Sequence, residues 1–228
     1  MSFKWIIYFL VSLMPACIQK AQKDKMQLPL QDNLEIAIQE LKSTTDYDTL
    51  EWKELIDLDT SLNIDIRYSS TNNFVGEKMY DCGRCFLRPE AARRIAMAHK
   101  ALKAKGFGLK LYDCYRPRPF QQRLWDKVPD ARYVTPPQKG SMHNRGLAVD
   151  LTIVNALGEE LDMGTEYDYF GEEAYQDYKG LSEEVAQNRA LLNSTMKDVG
   201  FSPIRTEWWH FSLRGVDHEL ADWTWPCY

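Results

Sequence analysis

Histidine is scarce in this chain, four residues in 228, and no HExxH segment holds two of them on one helical face. Any metal centre must therefore be assembled from distant segments. Basic charge is also short: 28 lysines and arginines stand against 33 aspartates and glutamates, a formal charge of −5, with no local run of cations. That gives nothing to neutralise phosphates, and no nucleic acid is expected as a partner. With 12 glycines and 10 prolines, collagen-like and low-complexity readings have no support. There is one CxxC, Cys82–Cys85, and no second one to complete a four-cysteine zinc site. What is abundant is aromatic: seven tryptophans, twelve tyrosines and nine phenylalanines, enough to fill the core of one domain and to wall a pocket.

Long apolar runs are missing too. The apolar stretch from Trp5 to Met14, behind Lys4, is short for a spanning helix and right for the core of a secretory leader. Met14-Pro15-Ala16-Cys17 resembles a bacterial lipoprotein box, although Met14 and Pro15 depart from its usual residues. Residues 1–17 are thus expected to be a signal peptide, with lipidation of Cys17 as the only membrane attachment or plain cleavage as the alternative. The expected location is the cell envelope, periplasmic or anchored. Without Cys17, Cys82, Cys85, Cys114 and Cys227 remain, an even number with three possible pairings, and at least one disulfide is expected.

Residues 18–50 read as a polar tether or surface arm, with one short helix around Leu34 to Leu41, and residues 51–228 as the functional domain. From Leu62, the alternation of Ile64, Ile66 and Tyr68 predicts a half-buried strand. Pro89 opens a helix with Ala91, Ile95, Ala98 and Leu102 on its core face, ended by Gly106. Strands are expected at Leu109–Tyr112, Leu147–Val154 and Glu207–Leu213, and a short helix at Arg118–Lys127. A second long helix carries Val185, Leu192, Met196 and Val199 and stops at Gly200. Arg189 interrupts its stripe and is expected at the edge with its head in water. No βαβ rhythm or internal repeat appears, which predicts a single α+β domain with a small, mainly antiparallel sheet and packed helices.

Two of the four histidines keep unusual company: His143 in Ser141-Met142-His143-Asn144-Arg145-Gly146-Leu147-Ala148-Val149-Asp150, and His210 in Glu207-Trp208-Trp209-His210. Asp150 shares a strand face with Ala148 and Thr152 inside a hydrophobic strand. A buried carboxylate needs a partner, and a metal is one of the few that suffice. Two imidazoles, one carboxylate and a position left for water form a familiar catalytic zinc set. Glu207 and His210, three apart, share a face on a helix but not on a flat strand; a bulge or a loop start at Glu207 would reconcile them. Each residue also has a bland reading: His143 a hydrogen-bonded loop histidine, His210 a core residue, Glu207 a surface acid. His99 is expected to be structural, His218 solvated, and Trp223 with Trp225 packing residues.

The segments SMHNRGLAVD and EWWH resemble the SxHxxGxAxD and ExWH signatures of D-alanyl-D-alanine dipeptidases of the VanX type, in the zinc DD-peptidase and Hedgehog-like superfamily. The resemblance runs from about Asp57 to Arg214 and includes DIRYSSTNNFVG, the Tyr115-Arg116-Pro117 turn and Met163–Asp168. It implies one zinc ion held by His143, Asp150 and His210, Glu207 as catalytic base and Arg116 as oxyanion stabiliser. It also implies Asp168 and Ser141 as holders of the ammonium and carboxylate of a small dipeptide. Arg116 could otherwise brace its proline turn, and Ser141 and Asp168 could be turn residues. The activity implied is zinc-dependent dipeptide hydrolysis in cell-wall metabolism. A peptidoglycan D,D- or L,D-carboxypeptidase and a non-catalytic zinc or muropeptide-binding lipoprotein are the alternatives.

Overall fold

The apolar period of residues 89–102 becomes a helix because Pro89 supplies a fixed first-turn φ and Ala91, Ile95, Ala98 and Leu102 all reach full burial on one side. The computed structural model describes residues 45–228, and Tyr47–Tyr228 forms one compact unit. The expected leader, Cys17 and the helix near Leu34 lie outside the described residues. In chain order the elements are β1 (Lys53–Glu54), α1 (Leu55–Leu58), β2 (Asn63–Ile64), β3 (Phe86–Leu87), α2 (Pro89–Lys103), β4 (Gly108–Asp113), α3 (Arg118–Lys127), β5 (Ala148–Val154), α4 (Glu183–Asp198), β6 (Phe201–Ile204) and β7 (Glu207–Leu213).

The main sheet has the order β2-β4-β5-β7-β6, parallel only between β2 and β4, and β1 pairs with β3 in a separate ribbon. This is the α+β, mainly antiparallel arrangement expected. Every residue of β5 is buried, as a strand paired on both edges and covered on both faces must be. The register between β4 and β5 shifts between Leu111 and Asp113, so Asp113 stands opposite Asp150 and the buried acid arrives at the site end of the sheet.

Three expectations are corrected. The strand from Leu62 is only Asn63–Ile64; the chain then turns through a single 3-10 turn at Arg67–Ser69, which still buries Ile66 and Tyr68. Arg189 is buried, not solvent-facing: its guanidinium donates to the carbonyls of Met163, Tyr175 and Glu173 at 2.7, 3.1 and 2.8 Å. Irregular backbone leaves carbonyls without ladder partners, and one arginine on α4 satisfies several. His218 is not free in solvent; its Nε2 lies 2.6 Å from Glu90 Oε1.

The four domain cysteines form two disulfides, Cys82–Cys227 and Cys85–Cys114. The tail after β7 has no regular structure but is fixed to the domain. Trp225 is buried against Tyr80, Phe86 and Phe120, and Trp223 stacks on Trp52 and Tyr115, so both are packing residues.

Candidate active site

Pairing β5 with β7 places Asp150 directly opposite His210, so both side chains leave the sheet on the same side. His143 comes from a single 3-10 turn, His143–Arg145, that Gly146 closes at φ 71°. A Cβ on Gly146 would lie 2.5 Å from the Trp52 ring, so both the backbone angle and the space demand glycine.

The three side chains converge. His210 Nδ1 is 2.9 Å from Asp150 Oδ1, and His143 Nε2 is 3.1 Å from His210 Nδ1 and 3.3 Å from Asp150 Oδ1. Donors held tetrahedrally at about 2.0–2.2 Å from one ion stand about 3.3–3.6 Å apart. The observed spacings are close to that, and His143, Asp150 and His210 are the group among the described residues able to hold a metal ion. Each donor is also oriented from behind. His143 Nδ1 lies 2.7 Å from the Cys114 carbonyl, which can only accept, so Nδ1 carries the proton and Nε2 offers its lone pair. His210 Nε2 meets Ser212 Oγ at 2.9 Å, and Tyr167 donates its hydroxyl to Asp150 Oδ2 at 3.1 Å. Such outer partners fix tautomer and ring orientation in metal sites. Burial opposes the charge on Asp150, but His143 and His210 outweigh it and hold the carboxyl far below its ordinary range. Burial likewise disfavours a charged His143, yet Asp150 raises it above its ordinary value.

Glu207 reaches the same cavity through an irregular ladder. Pro203 pairs with Phe211 and Ile204 with Glu207, so Trp208, Trp209 and His210 have no counterpart in β6. The register of β5 with β7 covers only Ala148–Asp150 against Ser212–His210, so Glu207–Trp209 is also unpaired on that edge. The bulge brings Glu207 round to stand with Oε2 3.9 Å from His210 Nδ1. Burial raises the Glu207 carboxyl, with Asp150 adding to the effect and His210 opposing it.

Arg116 follows β4 and is clamped. Its Nε and Nη2 donate to Asp113 Oδ2 at 2.9 and 2.6 Å, and Nη1 donates to Gln121 Oε1 at 3.1 Å. Asp113 is fully buried and also accepts the Tyr80 hydroxyl at 2.7 Å. These contacts leave an N–H on each of Nη1 and Nη2 for the cavity. Burial works against the guanidinium charge, but Asp113 and the neighbouring tyrosines hold its pKa well above the ordinary value.

Asp168 sits at φ 61°, the one non-glycine at positive φ among the described residues, and accepts the Tyr68 hydroxyl at 3.2 Å. Burial and the neighbouring Asp150 push its carboxyl well above the ordinary range, the condition of an acid that lacks a full cationic partner. Ser141 Oγ is buried and has no hydrogen-bond partner among the described residues, while its backbone N–H is held 2.7 Å from Asn144 Oδ1. All seven residues singled out in the sequence line one cavity of about 460 Å³. Lys139, Arg145 and Arg214 bring positive charge to its wall, and Tyr133 and Phe170 pack together 4.7 Å apart beside it. Asp113, Gln121, Tyr68, Tyr167, Ser212 and the Cys114 carbonyl were not singled out: Tyr68, Tyr167 and the Cys114 carbonyl meet their partners across the fold, while Asp113, Gln121 and Ser212 lie within five residues of theirs but belong to no signature. Tyr68, in the DIRYSSTNNFVG segment, and Tyr167, in Met163–Asp168, lie in stretches that the resemblance covers.

The family model of D-ala-D-ala dipeptidase matches residues 48–227. The D-alanyl-D-alanine dipeptidase of Escherichia coli (strain K12) is 36% identical over 166 residues, covering 73% of this chain and 86% of the relative. The protein of that name from Enterococcus faecalis (strain ATCC 700802 / V583) is 29% identical over 182 residues, 69% of this chain and 88% of its own. One from Enterococcus faecium is 32% identical over 185 residues, with 71% and 91% covered. With a matching model over most of its length, and a cavity that gathers the residues of both its sequence signatures, this chain belongs to the D-ala-D-ala dipeptidase family.

Proposed function

We propose that this chain hydrolyses D-alanyl-D-alanine, or a small dipeptide close to it, using one zinc ion at His143, Asp150 and His210, and that it serves cell-wall metabolism. The observation that carries this reading is the convergence of three oriented donor atoms, 2.9–3.3 Å apart, beside Glu207 and Arg116. A zinc ion bound there supplies Lewis acidity, polarising a peptide carbonyl and bringing the pKa of its water to about 7. The protein's own groups do the rest. Glu207 takes a proton from the attacking water on its carboxylate and returns it to the leaving amide nitrogen. Arg116, immobilised by Asp113 and Gln121, aims its free N–H groups at the oxygen that becomes negative.

The substrate's two charged ends find different partners. Asp168, with Tyr68 beside it, receives the ammonium and acquires the cation it lacks. Ser141 Oγ, buried and unpartnered, donates to the terminal carboxylate, and Lys139, Arg145 and Arg214 favour negative charge in the same cavity. We place the protein in the cell envelope, tied to the membrane only if Cys17 is lipidated; its two disulfides fit an exported chain.

The test is a panel of free D-Ala-D-Ala and a peptidoglycan pentapeptide, with and without chelator. Hydrolysis of the dipeptide that chelation abolishes and zinc restores is the expected result. Cleavage of the pentapeptide alone would make the enzyme a carboxypeptidase, and bound metal with no hydrolysis of any D-dipeptide would make it a binding protein.

A further inference from the structure

The bulge that brings Glu207 to the cavity has a backbone cost. With Trp208–His210 unmatched by β6 and Glu207–Trp209 unmatched by β5, Trp208 has no ladder partner on either edge and Glu207 only Ile204 of β6, so carbonyl capacity that a regular ladder would use is left for donors elsewhere. One side chain supplies them. Gln176 Nε2 donates to the Glu207 carbonyl at 3.2 Å and to the Trp208 carbonyl at 3.3 Å. Its Oε1 accepts from Asn193 Nδ2 on α4 at 3.0 Å, and its backbone N–H donates to the Arg205 carbonyl at 2.8 Å. The amide orientation follows from these partners, since two carbonyls can only accept. Gln176 does not line the cavity that holds the metal ligands, and no other side chain of the described residues donates to either carbonyl.

We infer that Gln176 is a positioning residue for Glu207: it stabilises the bulged backbone and so keeps the carboxylate aimed at the water and amide of the substrate. The inference rests on the reading of Glu207 as the base. Without the amide, those two carbonyls would be satisfied by relaxing toward regular pairing, which turns residue 207 away from His210. A displacement of even about 1 Å at a reacting group costs on the order of 100-fold in rate.

Gln176→Glu is the informative variant, because it keeps the shape and the acceptor for Asn193 but replaces the donor with an oxygen that repels the carbonyls. The expected result is a kcat lower by about 10- to 100-fold, KM within about twofold and zinc content unchanged. In a Glu207→Gln background the same change should alter the residual rate by less than about twofold, as expected for two residues acting as a unit. Amide hydrogen exchange over residues 205–210 should accelerate in the single variant. A kcat within about twofold of the parent, an equal loss in the Glu207→Gln background, or unchanged exchange would each overturn the inference. If Gln176→Glu fails to fold, Asn193→Ala, which frees the Gln176 amide from α4, should give a smaller loss of kcat and faster exchange over the same residues; no change in either refutes the role. Should the parent chain hydrolyse no D-dipeptide, the functional reading falls, and the exchange measurement alone decides whether Gln176 holds the bulge.

Discussion

A buried hydroxyl without a partner is a liability that folding alone does not explain. Ser141 Oγ is in that state, while the backbone around it is held by Asn144 and lines the cavity. An unsatisfied buried polar group costs about 1–3 kcal/mol, so Ser141→Ala should leave thermal stability unchanged or higher. If the hydroxyl binds the substrate carboxylate, the same change removes a charge-assisted hydrogen bond of about 1.5–3 kcal/mol, and KM should rise about 10- to 100-fold. Thermal unfolding and steady-state kinetics on the one variant separate the two effects; an unchanged KM removes Ser141 from the substrate site. Ser141, His143 and Asp150 were legible in the sequence because one short segment carries them all. Asp113, Gln121 and Tyr68 were not, since no pattern marks an acid at the end of a strand or a glutamine in a helix as the support of an arginine three or five residues away.

At the level of elements, α2 and β4 are joined by a histidine whose state depends on pH. His99 Nδ1 accepts the Leu109 N–H at 3.0 Å, so Nε2 carries the proton and meets Ser61 Oγ at 2.9 Å. Burial lowers its pKa below the ordinary 6.5, with Asp59 partly offsetting this and Lys103 reinforcing it. The unfolded chain therefore binds a proton that the folded chain refuses. The stability from His99 is complete above about pH 6.5 and declines as pH falls toward the folded pKa. His99→Gln, which does not titrate, should be less stable at neutral pH and should lose less stability than the parent between about pH 7 and 5. Urea denaturation across that range checks this, and a constant difference between the two proteins would contradict it. Periodicity made α2 legible because its apolar face meets one continuous core. It misplaced Arg189 because an apolar stripe cannot show that irregular segments opposite α4 offer three carbonyls. It overran β2 because alternation persists through a 3-10 turn that also buries every second side chain.

Over the whole of residues 47–228, the site is built from segments that the C-terminal tail straps together. Ala221 N–H donates to the Asn144 carbonyl at 2.9 Å, and Arg118 N–H donates to the Ala221 carbonyl at 3.1 Å. Arg145 bonds to Asp217 and to the His218 carbonyl. One strap thus touches both the His143 turn and the helix that follows Arg116, and Asn144 completes the joint by donating to the Arg116 carbonyl at 2.7 Å. The tail has no ladder or helix of its own, so its order depends on tryptophan packing and on the Cys82–Cys227 bond, which spans 145 residues of sequence. Cross-linking so long a loop restricts the unfolded chain strongly, and loss of such a bond typically costs about 2–4 kcal/mol. Replacing Cys82 and Cys227 together by serine should lower the unfolding free energy by about that amount. The Cys85–Cys114 bond is buried and anchors the carbonyl that orients His143, so metal binding should persist in the double variant. Activity should not persist in full: with the strap loosened, kcat/KM should fall well below the unfolding temperature, because Asn144 and the Arg116 turn lose their outer support. Chemical denaturation, metal analysis and kinetics on one preparation test the three statements together. Unchanged kinetics in a destabilised protein would confine the strap to stability and leave the geometry of the site to the sheet alone.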